Sequence, residues 1–504
     1  MSIQPASLAS AFQPLAHLYH HLFRYYHGLR NLAVSRRFAL ATFAFPLILR
    51  MIPDILAGPY PIGYDSISSY IPLMRVWPSG NSVGQFHPEI GGWVVFALFG
   101  LAYATTRLDP TIIVKIAGPI LYGILGVSQF EFAKKTMKWS DDKSALLVFV
   151  SAIYFVSLRV SWDLFRNTLG IALMLLTLAF AKDARSTRGL LSLSMMTMIV
   201  ASVHLLAATL LVALIAFEFV SRRRFDLRRL SFLLPAGAYC IVSLVELQNQ
   251  GLTVLTDNNP SVQPLSAYLF PLYIFLPLLP MAVIGARKFL PALVRNWILV
   301  CSLGVLAATT PLAVSTAIVS PDRWSLMMFP PMLVLSVEGY SRLRHSAPRL
   351  SSGKSLAATL WVILLLVLAV TYIGLQAQDA FPYYHYFGPS TMLQSSIPVQ
   401  DSSSVASLFQ WLSDNSHVSN SVIIAHNAIY GWALQYYSGN TTILGFDPGT
   451  TFDTMLTQAL QRGYTTLFTV WWANGQGWYG QPIVPQGFLI VHQDGEFGAF
   501  MYRI

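Results

Sequence analysis

Apolar stretches as long as membrane spans, separated by short basic runs, constrain the fold of this chain more than any other feature. The runs are Arg36-Arg37, Lys134-Lys135 with Lys138, Lys182 to Arg188, Arg222 to Arg229, Arg287-Lys288 and Arg342 to Lys354. Charged residues are 11% of the 504-residue sequence and apolar residues 54%, whereas soluble domains are roughly one quarter charged. A soluble chain could not hide that much apolar surface, so part of it must face lipid. The net charge of +10 does not indicate nucleic acid, because the basic residues sit between apolar segments as they do in cytoplasmic loops. Cys240 and Cys301 lie within apolar stretches, which argues against a disulfide framework or a thiolate metal site. The first apolar stretch begins near Phe38, behind a long polar arm, so no cleavable signal is expected.

If all six basic runs face the cytoplasm, each stretch between them crosses the membrane an even number of times. Phe38–Ala57 and Thr111–Phe132 then form the first pair. Ile90–Ala104, opened by Gly91-Gly92, becomes a re-entrant or interfacial helix in a long outer loop over residues 58–110. Ala145–Leu158 goes out and Leu169–Ala181 returns. Leu190–Val220 is too long for one span and divides into two near His204. Ser231–Leu247 with Ala267–Ala286, and Trp297–Leu312 with Leu326–Val337, complete the pairs, and Ala357–Leu375 exits alone. The expected architecture is an α-helical polytopic membrane protein of about 11 spans: a cytoplasmic arm over 1–37, a transmembrane domain over 38–375, and a C-terminal extracytoplasmic domain.

Composition changes after Leu375. Residues 376–504 contain no lysine, only Arg462 and Arg503, and seven acidic residues. Ser421–Ala425, Thr441–Gly445, Thr465–Trp471 and Phe488–His492 read as strands, and Ser404–Leu412 and Thr451–Gln461 as helices. A small α/β layer domain is expected.

Ionisable residues near membrane depth mark sites more often than they mark lipid-facing surface. Asp65 ends Pro59-Tyr60-Pro61-Ile62-Gly63-Tyr64-Asp65, with Tyr70 beyond it. A carboxylate there could take a proton from an acceptor hydroxyl, or could simply cap the helix that begins at Ser66. Asp163, Arg166 and Asn167 lie between two paired spans, and Pro321-Asp322-Arg323-Trp324 at the end of another. Arg166 and Arg323 could hold a phosphate through the guanidinium fork, or could anchor at lipid headgroups. Arg50 and Asp54, one turn apart, are expected to pair. His204 sits at a helix break and could cap it, and His87 with Glu89 gives too few ligands for a metal site. There is no Walker lysine loop and no Gly-rich dinucleotide fingerprint, so energy must come from the substrate, such as a lipid-linked phosphate ester.

These pieces resemble the GT-C superfamily of membrane glycosyltransferases, which use polyprenyl-phosphate-linked sugars on the outer face. The resemblance rests on Gly63-Tyr64-Asp65, His87-Pro88, Asp163 to Asn167 and Pro321 to Trp324, together with the span plan and the C-terminal domain. It implies that Asp65 is the catalytic base and that Arg166 and Arg323 hold the donor phosphate. Tyr64, Asp163, Asn167, His87 and His204 would complete the substrate site. Protein O-mannosyltransferases and lipid A aminoarabinose transferases often carry Asp-Glu in the first loop, whereas Asp65 precedes Ser66, so neither subfamily is assigned. Trp471-Trp472-Ala473-Asn474-Gly475 is similar to the Trp-Trp-Asp-Tyr-Gly motif of oligosaccharyltransferases but lacks its aspartate, and reads more simply as core or sugar-stacking tryptophans.

The expected activity is inverting transfer of a sugar from a polyprenyl-phosphate donor to an extracytoplasmic glycan, lipid or protein acceptor. Membrane lipid is the expected surrounding partner, nucleic acid is not one, and no metal or other cofactor is assigned. Two rival readings are a transporter, which would show repeated halves with broken helices, and a non-catalytic membrane assembly protein in which Asp65 is dispensable.

Overall fold

The computed structural model describes residues 37–76, 92–181, 186–221, 230–249, 264–309, 321–345, 353–375, 397–416, 418–446, 452–473 and 486–504, with residues 184, 395 and 484 between them. Most of the chain is helical. Among the described residues four helices are long and apolar enough to cross a membrane: Arg37–Leu56 (α1), Pro110–Lys135, Ala292–Thr309 and Ser355–Gly374. Two bent pairs raise the number to six among the described residues if each pair is one span. These helices mark the chain as a multi-pass membrane protein. Shorter apolar helices accompany them, including Phe165–Ala181, Thr187–Val203, Leu205–Glu218 and Leu234–Glu246.

After α1 comes a π-helical turn, Ser66–Tyr70, continued by α2 (Ile71–Val76). Then follow α3 (Trp93–Thr106) and α4 (Pro110–Lys135). The 14 residues of α3 give it a length of about 21 Å, short of the ~30 Å of a hydrocarbon core. Asp109 caps α4 by accepting from Thr111 N at 2.8 Å. Next are α5 (Asp141–Ala152), α6 (Phe155–Asp163), α7 (Phe165–Ala181), α8 (Thr187–Val203) and α9 (Leu205–Ser221).

Three expected spans differ from the structure. Ala145–Leu158 is not one rod, because α5 and α6 meet at a 70° bend. The carbonyls freed there are not left bare: the Tyr122 hydroxyl lies 3.2 Å from Ser151 O and 3.0 Å from Ala152 O. The expected span Ala267–Ala286 bends by 88° between Leu269–Phe275 and Leu279–Ala286. Pro277 lies in that break, where Trp361 Nε1 donates to Pro277 O at 2.7 Å and Ser336 Oγ to Leu278 O at 3.1 Å. The helix expected over Leu326–Val337 starts later, as Phe329–His345, behind the short helix Pro321–Leu326, and Trp297 Nε1 donates to Met327 O at 2.9 Å in the gap. In each break a buried side chain replaces the lost helical partner. The expected break at His204 is present between α8 and α9.

The C-terminal part is the expected α/β layer, a mixed five-stranded sheet. Its strands are β1 (Ser421–His426), β2 (Thr442–Phe446), β3 (Thr466–Trp472), β4 (Leu489–Asp494) and β5 (Phe497–Arg503), in the order β2-β1-β3-β5-β4. β1 pairs in parallel with β2 and β3, and β5 pairs antiparallel with β3 and β4. Parallel strands are covered on both faces, so β1 is buried throughout and its centre, Val422–Ala425, is apolar rather than alternating. Val422 and Ile424 pack on the helix Phe452–Gln461, whereas Ile423 and Ala425 share a core with the helix Asn427–Tyr436.

That second core also holds Ile67, Tyr70, Ile71 and Met74, so the sheet layer is seated on the turn that follows α1. Gly431 marks the tightest point, where an added Cβ would lie 1.9 Å from Ile67 O. Arg75 Nε donates to Gln435 Oε1 at 2.5 Å, and Gln435 Nε2 lies 3.2 Å from Thr111 Oγ1. The Tyr60 ring lies 6.4 Å from Trp432 and 6.3 Å from Tyr436.

Candidate active site

The loop between α1 and the Ser66–Tyr70 turn carries the first candidate. Gly63 has φ +92°, and a Cβ there would lie 2.3 Å from Asp163 Cβ. Only glycine satisfies both the left-handed backbone and this approach. With Asp163 so close, its Oδ2 accepts the backbone N–H of Asp65 at 2.9 Å, and its Oδ1 pairs with Arg159 one turn back on α6. Arg159 and Asp163 are almost wholly buried, so the pair is a fixed floor beneath Asp65.

Asp65 stands at the start of the Ser66–Tyr70 turn, but its side chain makes no capping hydrogen bond. Among the described residues its carboxylate accepts no hydrogen bond and forms no ion pair. Protein packs around Asp65, yet it keeps accessible surface. Burial pushes its pKa above the usual carboxylate range, the neighbouring Asp163 charge adds to this, and Arg166, Arg323 and Arg159 oppose it. Both arginines proposed from the sequence as phosphate holders thus act electrostatically on the proposed base.

Arg166 and Asn167 open α7, directly after the Leu164 break. Arg166 has no carboxylate partner among the described residues, and its guanidinium lies 5.0 Å from the centre of the Phe96 ring. Arg323 is 4.0 Å from Asp322 and partly exposed. Tyr64, Asp65, Arg166, His204 and Arg323 all retain accessible surface, whereas Asp163, Asn167 and Asp322 are buried. The Asn167 amide nitrogen has no hydrogen-bond partner among the described residues. His87 lies outside the described residues, as does Glu89. No group of three or more His, Cys, Asp or Glu side chains among the described residues could hold a metal ion.

Arg50 and Asp54 pair at 2.6 Å, as their spacing led one to expect. Arg50 does more: its Nε and Nη2 donate to Ser161 O at 3.1 Å and Trp162 O at 2.6 Å. A buried cation therefore caps the last turn of α6 and holds Asp163 in place. Sequence reading did not find this role, because the two segments are more than a hundred residues apart. Arg159 as the partner of Asp163 was legible in principle from its i,i+4 spacing. Tyr70 is enclosed by Phe96, Phe99 and Phe165, with ring centres 5.4, 5.0 and 5.1 Å away. Trp471 and Trp472 are buried in β3, with the Trp471 ring 5.1 Å from His426, so they serve the sheet core.

A scan against protein-family models and a search of curated proteins found no match to this chain.

Proposed function

We propose that the chain is a membrane glycosyltransferase of the GT-C plan, moving a sugar from a polyprenyl-phosphate donor to an extracytoplasmic acceptor with inversion. The observation that carries this reading is the partly exposed Asp65 carboxylate, without a hydrogen-bond or ion-pair partner among the described residues and within the field of Arg166 and Arg323. A base must be free to accept a proton, and a phosphate leaving group needs positive charge that is not already spent.

In the proposed step Asp65 takes the proton of an acceptor hydroxyl, whose oxygen attacks the anomeric carbon. The bond from that carbon to the phosphate oxygen breaks, and the polyprenyl phosphate leaves with the electron pair. Arg166 and Arg323 stabilise its charge, so no strong general acid is needed. The raised pKa makes Asp65 a stronger base than an ordinary carboxylate. The sheet layer, seated beside the same turn through Gly431 and Gln435, would bind the acceptor or cover the site. The proposed topology has about 11 crossings, a cytoplasmic N-terminus and residues 376–504 outside. Apolar helices at Phe165–Ala181, Thr187–Val203 and Leu205–Glu218 support the shorter crossings.

The test is donor-dependent transfer in membranes with and without the chain. Labelled polyprenyl-phosphate sugars should yield labelled acceptor only where the chain is present, and nucleotide sugars should not replace them. No transfer from any polyprenyl-phosphate sugar, with folded protein present, would contradict the reading.

A further inference from the structure

His204 separates α8 from α9 and has the extended backbone of an N-cap residue, φ −157° and ψ 109°. Its own N–H still donates to Val200 O at 2.8 Å, and the N–H of Ala207 donates to its Nδ1 at 3.1 Å. The ring therefore caps α9, as the structural reading of the sequence held. That bond also selects the tautomer. Nδ1 is an acceptor, so in the neutral ring the proton is on Nε2.

Nε2 has no hydrogen-bond partner among the described residues, and the side chain keeps accessible surface. Both Arg166 and Arg323 act on the ring electrostatically, as they do on Asp65. The packing is close on the other side, where a Cβ on Gly170 would lie 2.5 Å from His204 Cβ. Near the same point Gly92 N donates to Ser202 O at 2.8 Å, and a Cβ on Gly92 would meet Arg166 Cδ at 3.1 Å. The end of α8, the start of α3 and Arg166 thus converge, and the ring is held rigidly by its cap.

We propose that His204 donates its Nε2–H to the phosphoryl group of the lipid donor, forming an anion site with Arg166. The proposal rests on the lipid-phosphate reading of the site. It gives the site an uncharged, directional donor beside the Arg166 cation, so part of its selectivity is for the position of a phosphoryl oxygen rather than for charge alone. His204 is a binding residue here and takes no proton from substrate.

The two nitrogens can be tested separately. Asn keeps an acceptor near Nδ1 and is a good N-cap, but cannot reach the place of Nε2. Gln places an amide N–H near Nε2 and weakens the cap. The probe is a short-chain polyprenyl phosphate, titrated against the full chain in detergent, with inorganic phosphate as a second arm and thermal midpoints recorded in parallel. His204→Asn should keep its midpoint and lose about tenfold or more in polyprenyl-phosphate affinity. His204→Gln should lose midpoint but bind more tightly than His204→Asn. A role in capping alone gives the opposite order, and wild-type affinity in His204→Asn would overturn the proposal. Weakening by Arg166→Ala without weakening by His204→Asn sinks the inference and leaves the phosphate site standing. No polyprenyl-phosphate binding by the wild-type chain overturns both. Equal losses for inorganic phosphate and the lipid phosphate would assign the contact to the phosphoryl group itself, as proposed.

Discussion

Asp163 accepts the backbone N–H of Asp65 at 2.9 Å while its other oxygen is paired with Arg159. One buried carboxylate therefore positions the loop that bears the proposed base and also sets the charge beside it. Asp163→Asn keeps an acceptor for the Asp65 N–H but removes a negative neighbour and leaves Arg159 unpaired. Both changes lower the Asp65 pKa, since the Asp163 charge raises it and Arg159 opposes that rise. The acid limb of kcat/KM should move to lower pH in Asp163→Asn, and rate profiles from pH 4 to 8 measure it. A limb that moves upward would contradict this electrostatic account.

Gly63 meets Asp163 at a point where no other residue fits. Gly63→Ala should displace Asp65 and lower kcat by about tenfold or more, on the scale of a misplaced reacting group. The helices should stay intact by circular dichroism in detergent. Full activity in Gly63→Ala would mean that the loop geometry does not matter.

Arg50 joins α1 to the end of α6 through two carbonyls, pairs with Asp54 one turn on, and is 1% exposed. Arg50→Ala leaves Asp54 as an unpaired buried carboxylate and should cost about 3–5 kcal/mol of stability. Thermal unfolding and extracted yield report the loss. A neutral outcome would remove Arg50 from the framework of the site.

The framework was only partly legible in the sequence. The helical class, the break at His204 and four of the five strands follow from apolar runs, basic punctuation and alternation, which are local signals. β5 was missed because Gly498 and Ala499 dilute its pattern, although Asp494-Gly495 before it is a hairpin signal. The bends after Ala152 and Phe275 were hidden because the partners that satisfy their carbonyls, Tyr122 and Trp361, come from distant helices. Asp65, Arg166 and Arg323 could be named as ionisable residues out of place. Their shared field, and the supports from Asp163 and Arg50, depend on tertiary contacts that spacing does not carry.

Arg323 is partly exposed and 4.0 Å from Asp322. Arg323→Lys keeps the charge and loses bidentate geometry, so donor KM should rise roughly tenfold with protein yield unchanged. Unaltered kinetics would make Arg323 a headgroup anchor instead.

The most direct test of the central claim is Asp65→Asn, assayed for sugar transfer from polyprenyl-phosphate donors in membranes. The substitution is nearly isosteric, and the Asp65 side chain makes no capping bond that the fold would miss. Because the folded-state pKa of Asp65 is raised, its ionised form opposes folding once the pH exceeds that value. Asp65→Asn should therefore keep or raise the thermal midpoint at neutral pH. Transfer should fall by at least about 10²-fold, the lower bound for loss of a general base. Asp109→Asn, at a half-exposed carboxylate that caps α4, is the control and should retain activity. If folded Asp65→Asn keeps more than about a tenth of wild-type transfer, Asp65 is not the base and the account of the site is wrong.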